Sequence, residues 1–462
     1  MKMTLAEIAK AINAQNDISA WKDIVLTSVA FDSRNEQAGA LFVPLQGKRD
    51  GHEFVPTAFA NGAKASLWGK DHPIEDHDHP LLVVDDPLAA LQQLSKYYLQ
   101  KINPLVVGVT GSNGKTTTKD LIASILSTQM NVTKTHANFN NEIGVPVTLL
   151  NMEANTEAVV VEMGMDHFGQ LDVLSRLTNP DVAVITMIGE AHIEFFHTRD
   201  RIADAKMEIV HGLKEDGTFV YNGDEPLLRE RAKKVDQDQR TFGRQLTNQL
   251  YATSVHSTTE HIEFTTNLWP DLTFTLPMIG EYNVNNALAA LTVGQLLHVT
   301  PKNMQRGLSN VVLTANRAEW VDGQMGEKIL SDVYNSNPTA VKKVLATFAE
   351  VPTDGKRIVV LGDMLELGEA SKRLHAGVAK SIDPEKIQEV YLVGPAMKAL
   401  QNQLLENGYP AAHLHHYQTD QLADLTKDLQ AKVVPNDLVL MKASHGIHLG
   451  KVLTALEAKD KD

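Results

Sequence analysis

Apolar residues along this chain gather into short runs, set between longer stretches where they recur every three or four positions. The first region mixes both patterns. Ala40–Leu45 and Leu81–Val84 predict strands, Leu88–Gln100 predicts a helix, and the turn-rich stretch GKRDGHEF lies between the strands. From Pro104 the pattern changes. The runs Leu105–Val109, Ala158–Val161 and Val182–Thr186 are separated by helix-length segments, as expected of strands buried in a parallel sheet. Residues 250–277 read instead as short antiparallel strands, an insertion or edge ahead of a helix at Asn283–His298. After Leu313 a third alternation begins, with strands at Lys328–Val333, Arg357–Leu361, Val390–Val393 and Leu438–Met441. The pattern therefore predicts an α/β protein divided at residues 1–103, 104–313 and 314–462, with a parallel central sheet.

Length agrees with that division, since 462 residues exceed one core and suggest about three domains. The 43% apolar and 22% charged content is ordinary for a globular chain. A formal net charge of −14 argues against nucleic acid held by general electrostatics, while leaving room for small anions held by a few local donors. The absence of cysteine removes disulfides, thiolate zinc sites and cysteine nucleophiles. The opening MKMTLAEIAKAI is amphipathic and lacks a signal peptide's apolar core and cleavage site. No run reaches the roughly 18 apolar residues that span a bilayer, so a cytoplasmic protein without membrane contact is expected.

The strand Leu105–Val109 runs into TGSNGKTTTKD and then into the helical LIASILSTQ. Strand, glycine-rich turn and helix is the setting of a phosphate loop. Its residues Gly111, Ser112, Asn113, Gly114, Lys115, Thr116 and Thr117 would turn backbone N–H groups toward phosphates, helped by the positive helix N-terminus. Lys115 would reach the outer phosphates and the Thr116 hydroxyl a Mg²⁺ ion. The loop departs from the common pattern, which needs a glycine where Val109 stands; Gly111 replaces it two residues later. ATP is the expected ligand.

Ligands bind beyond the carboxyl ends of strands in an open parallel sheet. VVVEMG puts Glu162 at such a tip, where an unpaired carboxylate is costly to desolvate. VITMIGEAHIEFF puts His192 just past another. Thr116, Glu162 and His192 could together hold two divalent cations around a triphosphate. Taken alone, a histidine in that position is more often structural than a ligand; its place beside two other strand-end candidates sets the two readings level. In RIADAKMEIVHGL, Lys206 shares the helical stripe of Ile202, Ile209 and Val210 and so faces inward. A buried neutral amine can take up CO₂ as a carbamate, an anionic metal ligand; a snorkelling lysine at a domain edge gives the same pattern.

Taken in order, TGSNGKTTT, NFNNEIGVP, EMG, GEAHIEFF, AKMEI, GEYNVNNALAA, NRAEW and DVYNSNP resemble the Mur ligases of peptidoglycan synthesis over essentially the whole chain. FDSR, LFVPLQGKRDGHEF and LGDMLELGE point within that family to the member that adds D-alanyl-D-alanine to UDP-N-acetylmuramoyl-tripeptide. The resemblance implies an N-terminal UDP-substrate domain, a central ATPase-type domain and a C-terminal Rossmann-like domain that closes on ATP. It implies catalytic roles for Lys115, His192 and a carbamylated Lys206, and a metal set of Thr116, Glu162, His192 and Lys206 for two Mg²⁺ ions. Nucleotide contacts would come from the loop with Asn286, Arg317 and Asp332. Ser33, Arg34, Gly47, His52, Asn138, Asn141, Asn335 and Asn337 would hold substrate. The resemblance favours a monomer acting on these small molecules. One departure touches the incoming dipeptide. Where the family often has lysine–glycine–serine–arginine, this chain has Lys442, Ala443, Ser444 and His445. Other amide ligases of the group, which add a third amino acid or glutamates to folate, remain as alternatives, as does an ATP-driven switch or motor.

Overall fold

The computed structural model describes residues 1–34, 37–74, 76, 78–314 and 317–458, and among them four sheets form. Near the N-terminus Met3–Thr4 pairs antiparallel with Val25–Leu26. A four-stranded parallel sheet follows in chain order: Ser28–Ala30, Ala40–Phe42, Ala65–Gly69 and Leu81–Val84. The strand expected over Ala40–Leu45 ends at Phe42, ahead of Pro44, which has no N–H to extend a ladder. Helix Pro87–Ile102 then leads into the central region. Asp86 caps its start by accepting from the Leu88 N–H, and Asn103, at φ +51°, ends it in the left-handed conformation.

The central sheet has nine strands, in the order Phe274–Leu276, Ile262–Thr266, Leu250–Ser257, Asp238–Gly243, Thr218–Asn222, Val182–Ile185, Leu105–Thr110, Ala158–Glu162 and Val132–Lys134. Only the pairings on both sides of Ile262–Thr266 are antiparallel, so the 250–277 stretch forms the predicted antiparallel edge. Val132–Lys134 escapes the hydrophobic pattern because it is short and partly exposed, and Asp238–Gly243 because its first half is polar and partly exposed; hydrogen bonding to a neighbour defines them. Leu105–Thr110 lies between Val182–Ile185 and Ala158–Glu162, with Val109 opposite Glu162 and Thr110 opposite Ile185. Three strand tips therefore open at one level. Helix Lys115–Leu126 covers one face and is itself covered by helix Tyr282–Leu296, joining Leu121, Ile122, Ile125, Val284, Leu288 and Leu291 in one core. Each such side chain stabilises by roughly 1.5–3 kcal/mol when buried.

The third region holds a six-stranded sheet: Glu319–Asp322, Lys328–Asp332, Leu438–Lys442, Arg357–Gly362, Glu389–Val393 and Leu414–Tyr417. Its first pairing is antiparallel and the rest are parallel, with a separate apolar core on each face. In register, Lys442 lies beside Asp332, so a cation and an anion meet at the carboxyl end of adjacent strands. No helix among the described residues is long and apolar enough to cross a membrane.

Candidate active site

The turn after strand Leu105–Thr110 needs glycine at two points. Gly111 has φ +153°, and a Cβ there would lie 1.8 Å from Thr186 Oγ1; at Gly114, with φ +81°, it would lie 2.4 Å from Asn286 Oδ1. Thr186 straps the loop from the neighbouring strand end, its hydroxyl 2.6 Å from the Asn113 carbonyl oxygen. The Ser112 N–H donates to Met187 O at 2.9 Å. Val109, which replaces the usual first glycine, is a buried strand residue, so the turn simply begins later. The helix starts at Lys115, and its first amides have no acceptor within the helix. They form an anion-facing end.

Lys115 bends back so that Nζ donates to Gly111 O at 2.8 Å. Burial pushes its pKa below the ordinary lysine value; Glu162 opposes that shift and Arg317 adds to it. Thr116 is buried, and its Oγ1 accepts from Arg317 at 3.2 Å. The Arg317 guanidinium lies over the Tyr334 ring at 4.1 Å. Arg317 thus reaches from the third region onto the first turn of the loop's helix.

Glu162 closes its strand at 2% exposure. Its Oε1 accepts from Asn140 Nδ2 at 2.9 Å, whereas Oε2 is buried with no hydrogen-bond partner among the described residues. An orphaned carboxylate oxygen is costly, and a cation would satisfy it. His192 has φ +63° and precedes the short helix Ile193–Phe196, with Nδ1 bonded to Glu366 of the third region. Lys206 sits in helix Arg199–Met207 at 1% exposure. No hydrogen bond or ion pair of its amine is found among the described residues. Burial, reinforced by the charge of Lys115, drives its pKa well below the lysine value. Burial of this kind favours the neutral amine over the ammonium.

Two clefts meet at the loop. One, of about 1340 Å³, is lined by Ser112, Lys115, Thr116, Asn141, Glu162 and His192. The other, of about 890 Å³, is lined by Thr117, Thr186, Asn286, Asp332, Lys343 and Lys442. Asn113, Gly114, Arg317 and Asn335 face both. Asn286 packs on Gly114, accepting from Thr118 at 3.3 Å and donating to Asn283 at 2.9 Å. Asp332 accepts from Lys442 Nζ at 2.6 Å, and the same amine donates to Asn335 O at 2.7 Å.

Asn141, which lines the first cleft, accepts from the Gly144 N–H at 2.9 Å at the start of helix Gly144–Leu150. Asn138 lies beside Tyr334, where it opposes the rise in that phenol's pKa that burial causes. Asn337 is buried, caps helix Pro338–Glu350 and exchanges two amide hydrogen bonds with Asn113, at 2.6 and 3.2 Å. In the first region, Arg34 forks onto Asp32 at 2.8 and 2.7 Å, and Ser33 O accepts from Asn61 at 2.7 Å. Gly47 lies exposed in a turn, donating to Arg49 O at 3.1 Å. His52 donates from Nδ1 to Asp50 at 2.7 Å, accepts the Gly69 N–H on Nε2 at 3.0 Å and stacks on His72 at 3.7 Å. The amide at Nε2 settles the proton on Nδ1, so Asp50, His52 and His72 form a hydrogen-bonded brace and not a ready metal site. None of Ser33, Arg34, Gly47 and His52 lines the two clefts.

Four residues that sequence reasoning missed shape this site: Asn140 on Glu162, Thr186 on the loop, Tyr334 under Arg317, and Glu366 on His192. Asn140 had a signal, the three asparagines of NFNNEIGVP, though spacing does not say which one faces the strand tip.

Residues 109–294 match the family described as the Mur ligase middle domain, and residues 316–445 the Mur ligase, glutamate ligase domain. The chain is 40% identical to UDP-N-acetylmuramoyl-tripeptide–D-alanyl-D-alanine ligase of Bacillus subtilis, over 99% of this chain and 98% of that one. Among solved structures it is similar to MurF from Acinetobacter baumannii, with TM-score 0.85, 27% identity and 98% of both chains covered. It is also similar to MurF ligase from Thermotoga maritima in complex with ADP, with TM-score 0.79, 28% identity, and 93% and 96% covered.

Proposed function

The chain belongs to the Mur ligase family, and from that membership we propose that it joins D-alanyl-D-alanine to UDP-N-acetylmuramoyl-tripeptide, cleaving ATP to ADP and phosphate. The observation that carries this reading is the convergence on one cleft of the phosphate loop, the orphaned Glu162 oxygen and Arg317 from the third region. The terminal carboxylate of the tripeptide attacks the γ-phosphate, ADP leaves, and an acyl phosphate forms. The free amine of the dipeptide then attacks the acyl carbon, and phosphate departs from a tetrahedral intermediate.

Lys115 and Arg317 offset the repulsion between carboxylate and triphosphate, and the loop amides hold the phosphates. Thr116, Glu162, His192 and a carbamylated Lys206 would hold two magnesium ions, which supply further positive charge at the phosphates. Supporting the carbamate are the burial of Lys206, its lowered pKa and its lack of an ion pair among the described residues. Its amine nitrogen adds to the carbon of CO₂ and releases one proton. Asn286, Asp332 and Asn335 line the way to the nucleotide, and the first region, with Ser33, Arg34, Gly47 and His52, receives the UDP end. Holding two reactants beside the triphosphate turns an encounter into a matter of positioning. We place the reaction in the cytoplasm, where ATP and the nucleotide-linked substrate meet, with a single chain as the working unit, as the family resemblance favours.

Phosphate release is the test. It should require both UDP-N-acetylmuramoyl-tripeptide and D-alanyl-D-alanine. Vigorous hydrolysis without them, stimulated by a protein, would sink the ligase reading in favour of an ATP-driven switch.

A further inference from the structure

His192 and Glu366 are 174 positions apart in the chain, yet they meet across the junction of the central and third regions. Two rungs make the contact. The Glu194 N–H donates to Glu366 O at 3.2 Å, and the His192 ring bonds the Glu366 carboxylate through Nδ1. The loop presenting Glu366 is held firmly after strand Arg357–Gly362. The Asp363 carboxylate accepts the Met397 N–H at 2.9 Å, Met364 donates to His375 Nε2 at 3.0 Å, and Leu365 donates to Ser444 Oγ at 2.9 Å. Glu366 itself has φ +60°, a conformation that non-glycine residues seldom adopt without support. The third region therefore offers this carboxylate at a defined place.

A carboxylate only accepts, so in the neutral imidazole the contact puts the proton on Nδ1 and leaves the Nε2 lone pair free. Imidazoles that ligate metals commonly have their other ring nitrogen held in this way, which settles both tautomer and orientation. His192 lines the cleft that Thr116 and Glu162 also line. We propose that Glu366 is a positioning residue through which docking of the third region readies His192 for a divalent cation, coupling domain closure to occupancy of that ion. The proposal rests on the reading of His192 as a ligand. When the third region swings away, His192 loses the group that settles its tautomer, and the cation site weakens. By reciprocity, the bound ion favours the docked state.

The test counts Mn²⁺ bound to the full-length protein with a non-hydrolysable ATP analogue, following free Mn²⁺ by electron paramagnetic resonance. Wild type should bind two ions and His192→Ala one. Glu366→Ala should weaken the second ion by about 10–100-fold and leave the first unchanged. Glu366→Gln should retain most of the affinity, because its amide oxygen still accepts from Nδ1. The Glu366 side chain is 46% exposed, so thermal unfolding of these variants should match wild type and separate positioning from folding. If Glu366→Ala binds the second ion as tightly as wild type while His192→Ala loses it, the coupling is wrong and the ligand reading stands. Two ions on His192→Ala would overturn both. Loss in Glu366→Gln equal to that in Glu366→Ala would make the effect one of charge and overturn the positioning role.

Discussion

At the scale of single residues, Lys206 and Gly114 show two ways a side chain constrains chemistry. Lys206 lies on an inward stripe legible from spacing, and the fold then deprives its amine of water and of any ion pair among the described residues. Lys206→Ala should lower turnover by roughly 10²–10³-fold, the scale for losing one electrostatic partner of a transition state. Added formate or acetate should restore part of it. Restoration by small amines alone would mean a cation and not a carbamate. Gly114 acts by absence. Its φ of +81° and the Asn286 oxygen 2.4 Å from a would-be Cβ leave Gly114→Ala strained by about 1–3 kcal/mol. That is on the order of a tenfold to hundredfold loss in ADP affinity, measurable by calorimetry. Unchanged affinity would show that the loop can shift freely. The sequence marked Gly114 as a phosphate-loop glycine, but Asn286 is 172 positions away and only packing brings it there.

At the scale of elements, helix Lys115–Leu126 carries an unusual burden. Lys119 and Asp120 are both buried, at 0% and 1% exposure, on a side that faces Lys134, Thr135 and Thr314 where a lone helix would face water. Lys119 donates to Thr135 O at 3.0 Å, while Asp120 takes Lys134 at 2.6 Å and both the N–H and hydroxyl of Thr314 at 2.9 Å. Removing one partner of a buried pair strands the other, so Asp120→Ala should cost about 3–5 kcal/mol in denaturant unfolding. A loss under about 1 kcal/mol, the scale of exposed pairs, would refute that accounting. Burial alone would raise the Asp120 pKa, but Lys119, Lys134 and Thr314 together hold it below the ordinary value. A carboxylate held low in the folded state contributes stability above its unfolded pKa of about 4 and loses it as pH falls through the folded value. Acidification should therefore erode wild type more than Asp120→Asn; parallel acid profiles would count against it. Nothing local in KTTTKD announces this burial, since one of its partners, Thr314, lies 194 positions after Asp120.

For the whole molecule, the central and third regions meet through apolar packing of Ile193 and Ile279 against the third region's core and through polar contacts that include Arg317 on Thr116, Thr339 on Glu190, Glu366 on His192, and the paired amides of Asn113 and Asn337. Such contacts suit a junction that opens and closes, because each is worth only about 0.5–1.5 kcal/mol net. Asn113→Ala removes the amide pair yet spares the helix cap that Asn337 supplies. It should lower kcat/KM for ATP by roughly threefold to tenfold and enlarge the unliganded molecule in small-angle scattering. No change in either measurement would make the contact incidental.

Sequence alone determined the three alternating stretches, the phosphate loop with its displaced glycine, the strand-tip carboxylate Glu162 and the family, because each is written in local order and spacing. Hydrophobic period marks an element and its inward face within a dozen residues, and a motif's residues act together because they adjoin. Tertiary structure alone decided that Asn140 and not its neighbours braces Glu162, that His52 spends both ring nitrogens inside its own region, and that Glu366 finds His192. Those pairings depend on where intervening sheets stack and how far each loop travels. That is a property of the packed whole, to which no short window of the chain has access.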